Sequence, residues 1–273
     1  MEIKKLVCSV FLLGACSLNA QINLGEKAVG ALQKGVASFT FSDEDAATLS
    51  KEAVAKMDKE NVVAGPKDPY TIRLNKLFGK HKNENGLVLN YKVYKTKEVN
   101  AFATADGSVR VFSGLMDIMD DNELLAVIGH EIGHVANHDS RDAIKAAYRN
   151  EAIVDAVGSQ SDKVAKVTDS QLGKIGNALV SSAHSRQQES DADLYSYEFM
   201  KRNKYNVNAV ESAFTILAKL NEGGESNFIT KMMSSHPDPK DRALKAKERA
   251  VAEGLYKPYV KAVKKKTTTK KKK

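Results

Sequence analysis

Cysteine is nearly absent from this chain of 273 residues, which has only Cys8 and Cys16. Both precede the body of the protein, so the folded part holds no thiol for a disulfide. A membrane-spanning run is missing as well: the apolar stretch Leu6-Val7-Cys8-Ser9-Val10-Phe11-Leu12-Leu13 is too short to cross a bilayer permanently. No internal repeat is present, which leaves one sizeable core as the expectation for residues 21–256. The body also lacks an excess of charge. The formal net charge is +8, and residues 261–273 (KAVKKKTTTKKKK) carry eight lysines, so the rest of the chain sums to 0. That lysine block repels itself, buries no apolar area and is expected to be disordered. With no aromatic residue interleaved for base stacking, it does not point to a specific nucleic-acid partner. Nonspecific attraction to anionic lipid or cell-wall polymer fits it, as does a purely solubilising role.

Histidine is scarce too, at six residues, and two of the six stand in one motif. The stretch Leu124-Leu125-Ala126-Val127-Ile128-Gly129-His130-Glu131-Ile132-Gly133-His134 is an apolar helix pattern running into HExxH, the signature of a zinc peptidase helix. His130 and His134 lie one turn apart on one face, so both imidazoles reach a single metal. Glu131 sits on the neighbouring face, where it can take a proton from water. A core helix with incidental polar residues is the competing reading. It has to explain charged groups buried together, which is costly unless they coordinate or pair.

Two histidines leave a catalytic zinc one protein ligand short. His138 follows His134 by four residues, but the first and third turns of a straight helix start about 12 Å apart, too far to wrap one ion. His138 is therefore expected beside the ligand set and not in it. A carboxylate from a second helix fits better, and Glu189 in Gln188-Glu189-Ser190-Asp191-Ala192-Asp193 supplies it. Asp193, one turn on, is placed to accept the second ring proton of His130 or His134 and fix its tautomer. A solvated acidic helix face is the alternative for this cluster.

The ordered set of motifs resembles the M48 metallopeptidases, and among them the small bacterial lipoproteins of periplasmic quality control. The resemblance spans residues 91–242. It rests on Asn100-Ala101-Phe102-Ala103, Gly107, Val111-Phe112-Ser113-Gly114-Leu115, Glu123-Leu124, the HExxH, Ser185-Arg186-Gln187-Gln188-Glu189 with Ala192-Asp193, and Ser235-His236-Pro237 with Asp241-Arg242. It implies a gluzincin-type fold, one Zn2+ on His130, His134 and Glu189, and endopeptidase activity on unfolded polypeptide with Glu131 as general base. Gln187-Gln188 departs from many relatives and is expected to leave the chemistry untouched. By the same resemblance His236 or Arg242 is expected to point into the cleft, donating to the reaction oxyanion or capping the zinc in a resting state. Ser235-His236-Pro237-Asp238-Pro239 also reads simply as a helix start. A second class of function stays open: a chaperone-like or assembly factor for outer-membrane proteins, which binds extended segments and rarely cuts.

The ends fit such a protein. Lys4-Lys5, the apolar run and Leu13-Gly14-Ala15-Cys16 resemble a bacterial lipoprotein signal, at which processing leaves Cys16 lipidated. Ser17 is not an aspartate, so the outer membrane, facing the periplasm, is the expected location. The organisation read from the chain is signal peptide 1–15, lipidated linker 16–40, metallopeptidase domain 41–256 and lysine-rich tail 257–273.

Within the body the fold class is α+β and mainly helical, with a small, mainly antiparallel sheet beside the HExxH helix. Ser42-Asp43-Glu44-Asp45 reads as a capping box, and Ile72, Leu74, Leu77 and Phe78 mark a second helix. From Gly86 the period changes to alternation through Leu87, Leu89, Tyr91 and Val93. Asp106-Gly107 signals a hairpin, and Asp120-Asp121-Asn122 starts the HExxH helix. A charged helix with Ile144, Ala147, Ile153 and Val154 runs towards Gly158, and another leads from Ile175 to His184. Gly223-Gly224 permits a bend or lid. The segment Asn100-Ala101-Phe102-Ala103 is the candidate sheet edge for binding an extended peptide through its backbone, with simple support of the catalytic helix as the alternative.

Overall fold

The computed structural model describes residues 41–84, 86–150, 167–223 and 226–261. Cys16, the signal, the linker and residues 262–273 lie outside them, as do Ile153, Val154, Gly158 and Gly224. The elements run α1 (Asp43–Glu60), α2 (Pro69–Phe78), β1 (Asn83–Glu84), β2 (Leu87–Val88), β3 (Asn90–Tyr94), β4 (Ala101–Ala103), β5 (Ser108–Phe112), α3 (Ser113–Ile118), α4 (Asp121–Ala136), α5 (Asp139–Asn150), α6 (Asp169–Ser181), α7 (Arg186–Arg202), α8 (Asn208–Glu222), α9 (Ser226–Ser235) and α10 (Pro239–Ala252). None of the described helices is long and apolar enough to cross a membrane.

Helix starts follow the local chemistry. Ser42, Asp120, Thr168 and Ser185 each cap the following helix and close a reciprocal box with the third residue inside it. Pro69 opens α2 behind the cap Asp68. Asp106-Gly107 makes the β4–β5 turn, where Gly107 sits at φ 82 and the Val88 carbonyl occupies the place a Cβ would take, leaving no room for a side chain.

β5 is the central strand of a three-stranded sheet ordered β3-β5-β4. It pairs antiparallel with β4 and parallel with β3, while β1 and β2 form a separate antiparallel pair. Two of the three pairings are thus antiparallel, and the parallel one arises because the chain passes β3's neighbour position, lays down β4 and returns between them. β4 is left at an edge, and that edge faces the cleft. All five residues of β5 are buried.

Helix α4 is the axis of the molecule: every residue from Glu123 to Val135 is buried. Its main core joins Leu124, Ile128 and Ile132 to Val109 and Val111 of the sheet, Phe199 of α7 and Phe214 of α8. α7 lies close across α4, because Gly133 brings the α4 backbone against Ala192 and Gly129 receives the Phe199 ring. Ser196 Oγ donates to the Ala126 carbonyl at 2.7 Å and pins that crossing. α1, α5 and α6 form a separate layer around Leu49, Ile144 and Ile175.

Residues 257–261, just beyond Tyr256, pack against the body. Lys257 N–H donates to Asn208 Oδ1 at 3.1 Å, and the Tyr259 hydroxyl donates to the Asp120 carboxylate at 2.7 Å. Lys261 Nζ pairs with the fully buried Glu123 at 2.9 Å. Residues 257–261 therefore strap the N-terminus of α4, and the charges they neutralise explain why they stay with the body.

Asp58 of α1 ties that helix to the sheet. Its carboxylate takes Arg110 Nε at 2.8 Å and Nη2 at 2.9 Å, Lys92 Nζ at 2.7 Å and the Tyr94 hydroxyl at 2.8 Å. Burial alone would push the Asp58 carboxyl up, but the bonds from Arg110, Lys92 and Tyr94 outweigh it and hold it below the ordinary aspartate range. D58N leaves the buried Arg110 guanidinium without its counter-charge and is expected to cost about 3 kcal/mol at pH 7, measured by urea unfolding. Because the folded-state pKa is depressed, the difference between wild type and D58N persists above pH ~4. It shrinks as the pH falls through the folded value. A difference that grew on acidification would contradict this assignment.

Candidate metal centre

α4 and α7 each contribute one face to the site. His130 and His134 project from successive turns of α4, and their Nε2 atoms lie 3.0 Å apart. From α7, Glu189 Oε1 is 3.3 Å from His134 Nε2 and Oε2 is 3.6 Å from His130 Nε2. His236, in the turn between α9 and α10, brings Nδ1 to 2.9 Å from Glu189 Oε1 and 3.2 Å from His130 Nε2. One donor atom of each of these four buried residues falls within 4.8 Å of the others.

The outward ring nitrogens are occupied by carboxylates. His130 Nδ1 lies 2.9 Å from Asp193 Oδ1, and His134 Nδ1 lies 2.8 Å from Asp139 Oδ2. Each carboxylate holds the proton on Nδ1 and turns the Nε2 lone pair toward the common point. Of the two histidines considered in the sequence for Asp193, it is His130 that it serves. Asp139 was not recognised from the sequence. Its signal was its place one residue after His138 at the start of α5, where a chain reversal returns it to the α4 face.

Gln188 belongs to this arrangement. Its Oε1 accepts from the Ser185 N–H in the α7 capping box, and its Nε2 donates to Asp139 Oδ1 at 2.9 Å. It thus holds the carboxylate that meets His134. The expectation for His138 is corrected. Its backbone is left-handed at φ 66, which ends α4 and swings the ring outward, where it is 54% exposed and 3.7 Å from Asp43. It touches neither ligand histidine.

Arg242 is buried but does not face the cleft as a free donor. Its Nε and Nη2 grip both oxygens of Asp193 at 2.9 and 2.7 Å, and Nη1 meets Glu189 Oε2 at 2.6 Å. The guanidinium also stacks on Phe214, 4.1 Å from the ring centre. With its fork committed in this way, Arg242 positions Glu189 and Asp193. The sequence Ser235-His236-Pro237-Asp238-Pro239 serves two ends: Asp238, at φ 55, and Pro239 start α10, and His236 enters the centre.

The electrostatics call for a cation. Four carboxylates, of Glu131, Asp139, Glu189 and Asp193, converge here against one buried guanidinium, an arrangement that is expensive without further positive charge. Burial, with Arg242 nearby, pushes His130 down to about 3, so its ring is neutral and offers a lone pair. Burial opposes a proton on His134, but Asp139 and Glu189 overcome it and raise that ring to about 9. Of these acceptors, Glu189 is also one that would hold a metal. Burial would raise Glu189, but His130, His134, His236 and Arg242 keep it far below the carboxylate range. Two imidazole nitrogens and an ionised carboxylate, with a further imidazole at hand, are the donor set of a divalent transition ion. The residues present fit such an ion.

Glu131 points into the adjoining cleft. Its Oε1 has no hydrogen-bond partner among the described residues, and His236 Nε2 is 3.7 Å away. Burial raises its carboxyl above the ordinary glutamate range. The cleft is lined by Ala101, Phe102 and Ala103 of β4 together with Glu131, His134 and His184. At this edge the Ala101 N–H is taken by Asn100 Oδ1 at 2.9 Å and the Ala103 carbonyl accepts from Ser140 Oγ at 3.2 Å. Ala101, Phe102 and Ala103 thus form an edge strand bordering the metal-binding residues, with Asn100 immediately before it.

The profile of peptidase family M48 matches residues 79–250. Over 230 residues the chain is 39% identical to the metalloprotease LoiP of Escherichia coli (strain K12), covering 83% of this chain and 90% of that protein. It is 36% identical over 253 residues to the metalloprotease YcaL of the same organism, covering 91% and 98%. A shorter stretch of 96 residues is 38% identical to the protease HtpX of Xanthomonas euvesicatoria pv. vesicatoria (strain 85-10), a third of each chain.

Proposed function

Because the chain belongs to peptidase family M48 and is a metalloprotease, we propose that it holds one zinc ion on His130, His134 and Glu189 and cuts unfolded or misassembled envelope proteins in periplasmic quality control. The observation that carries this reading is the juxtaposition of a buried Glu131 carboxylate, whose Oε1 has no hydrogen bond among the described residues, a converging His-His-Glu set and an edge strand in one cleft. A divalent cation at that point supplies Lewis acidity, polarising a carbonyl and acidifying water. Glu131 accepts a proton from the attacking water and passes it to the leaving amide nitrogen. Asp193 and Asp139 hold the Nδ1 protons of the two histidines and keep the rings oriented through both steps.

The β4 edge selects for chain that is already extended. An unfolded segment can lie along it and pair with its backbone, whereas a folded substrate cannot present that hydrogen-bonding edge. His236 adds a further imidazole to the centre and is read as its cap in the resting enzyme. An H236A protein that cut casein at the wild-type rate with its zinc retained would remove His236 from that role.

Attachment to the outer membrane through a lipid on Cys16 belongs to the same proposal and rests on the sequence around that cysteine. The chaperone-like alternative uses the same cleft for binding without cutting. The test is casein cleavage by the purified chain. Activity is expected to vanish after chelation and to return on addition of one equivalent of zinc. Protection of unfolded clients with no cleavage in either state would favour the alternative.

A further inference from the structure

Four imidazoles gather at or beside the cleft, and three have their roles. His130 and His134 are held by Asp193 and Asp139, and His236 Nδ1 meets Glu189. The fourth is His184, in the turn just before the α7 cap Ser185. Its backbone N–H donates to the Ser235 carbonyl at 3.1 Å, fixing the turn beside His236. Its ring lies flat on His134, with centroids 3.8 Å apart and planes 14° from parallel, and its centre is 5.2 Å from that of His236. A ring nitrogen of His184 comes within 4.8 Å of donor atoms of His134 and Asp139. The residue is half-buried, and among the described residues no hydrogen bond holds either ring nitrogen.

Stacking on His134 needs only a flat ring, which a phenyl group would provide without polar atoms. A neutral imidazole also carries one N–H donor and one acceptor, and desolvating them without partners is unfavourable. These groups line the same cleft as Glu131 and β4, on the flank of the point where the ligand nitrogens converge. An extended chain in this cleft brings its peptide carbonyls within reach of that flank. The oxygen gains negative charge as water adds, and a fixed donor aimed at it favours the transition state over the bound substrate.

We propose that His184 is a further catalytic residue, stacked on the ligand His134 and donating its ring N–H to the scissile carbonyl oxygen as that oxygen becomes an oxyanion. The inference rests on the peptidase reading above and adds the residue that stabilises its intermediate. The stack sets the donor's direction, so the ligand that positions the electrophile also positions the group that answers its charge.

The test uses H184F, which keeps a flat ring on His134 and removes the donor. In zinc-loaded full-length E131Q protein, H184F is expected to weaken a phosphinic peptide, tetrahedral and anionic at the scissile position, at least about tenfold. The amide peptide of the same sequence should bind unchanged. With Glu131 intact, kcat is expected to fall about 10–100-fold with KM within about twofold and zinc content unaltered. Equal affinity of E131Q and E131Q/H184F for the phosphinic peptide overturns the proposal. So does an equal loss for both peptides or a loss of zinc, either of which would assign His184 to supporting His134. If wild type fails to cleave while H184F still weakens only the phosphinic peptide, the oxyanion contact stands and the peptidase reading falls.

Discussion

E131Q is expected to reduce casein cleavage by about 10²–10⁴-fold while leaving the bound zinc in place. The substitution is nearly isosteric and removes only the ability to accept a proton. Glu131 touches neither of the outward nitrogens that orient His130 and His134, which belong to Asp193 and Asp139. The metal site should therefore survive. Burial suits this carboxylate to the proposed role of base: it is 3% exposed, and desolvation raises its affinity for a proton above that of a surface glutamate. Measuring cleavage together with zinc content by elemental analysis checks both halves. An E131Q protein that retained full activity with one zinc bound would show that another group takes the proton, and the mechanism above would fail.

R242M is expected to be the most damaging change outside the ligands themselves. Arg242 neutralises Glu189 and Asp193 together from a side chain that is 7% exposed, so its removal leaves two carboxylates facing each other in the interior. Breaking a buried pair of this kind costs about 3–5 kcal/mol in stability. Loss of the orienting contact to a ligand weakens metal binding about 10–100-fold. R242K retains the charge but not the fork that spans both oxygens of Asp193, and should recover only part of either quantity. Denaturant unfolding and zinc titration against a competing chelator read the two effects. If R242M kept its stability and zinc affinity and lost only kcat, Arg242 would be acting on substrate and its placement behind Glu189 would be misleading.

Much of the site was legible before any fold was known, because its largest parts are local. The i, i+4 spacing of His130 and His134 already dictates a shared helical face, and the same spacing puts Glu189 and Asp193 together on α7. Capping boxes at Ser42 and Asp120 and the Asp106-Gly107 turn were readable for the same reason: each is satisfied within a few residues. The metalloprotease family followed from these motifs in order, and the profile match and the two long relatives agree with it.

What the sequence by itself determined, then, is the set of residues able to bind a metal and the helices that carry them. Only the tertiary structure decided how they are shared out. His138 continues the four-residue spacing of the α4 histidines, yet a left-handed backbone turns it to the surface, while Asp139 beside it returns to His134. Arg242 and Glu189 are 53 positions apart in the numbering and meet only because α10 brings the guanidinium beneath α7. Gln188, His184 and the strap at Tyr259 gain their parts from contacts across loops that no periodicity encodes. The physical reason is range. A helical face is set by bonds between residues four apart, whereas the partner of a buried charge is set by which chain segments the packing of Gly133 against Ala192 and of β4 against β5 allows to meet.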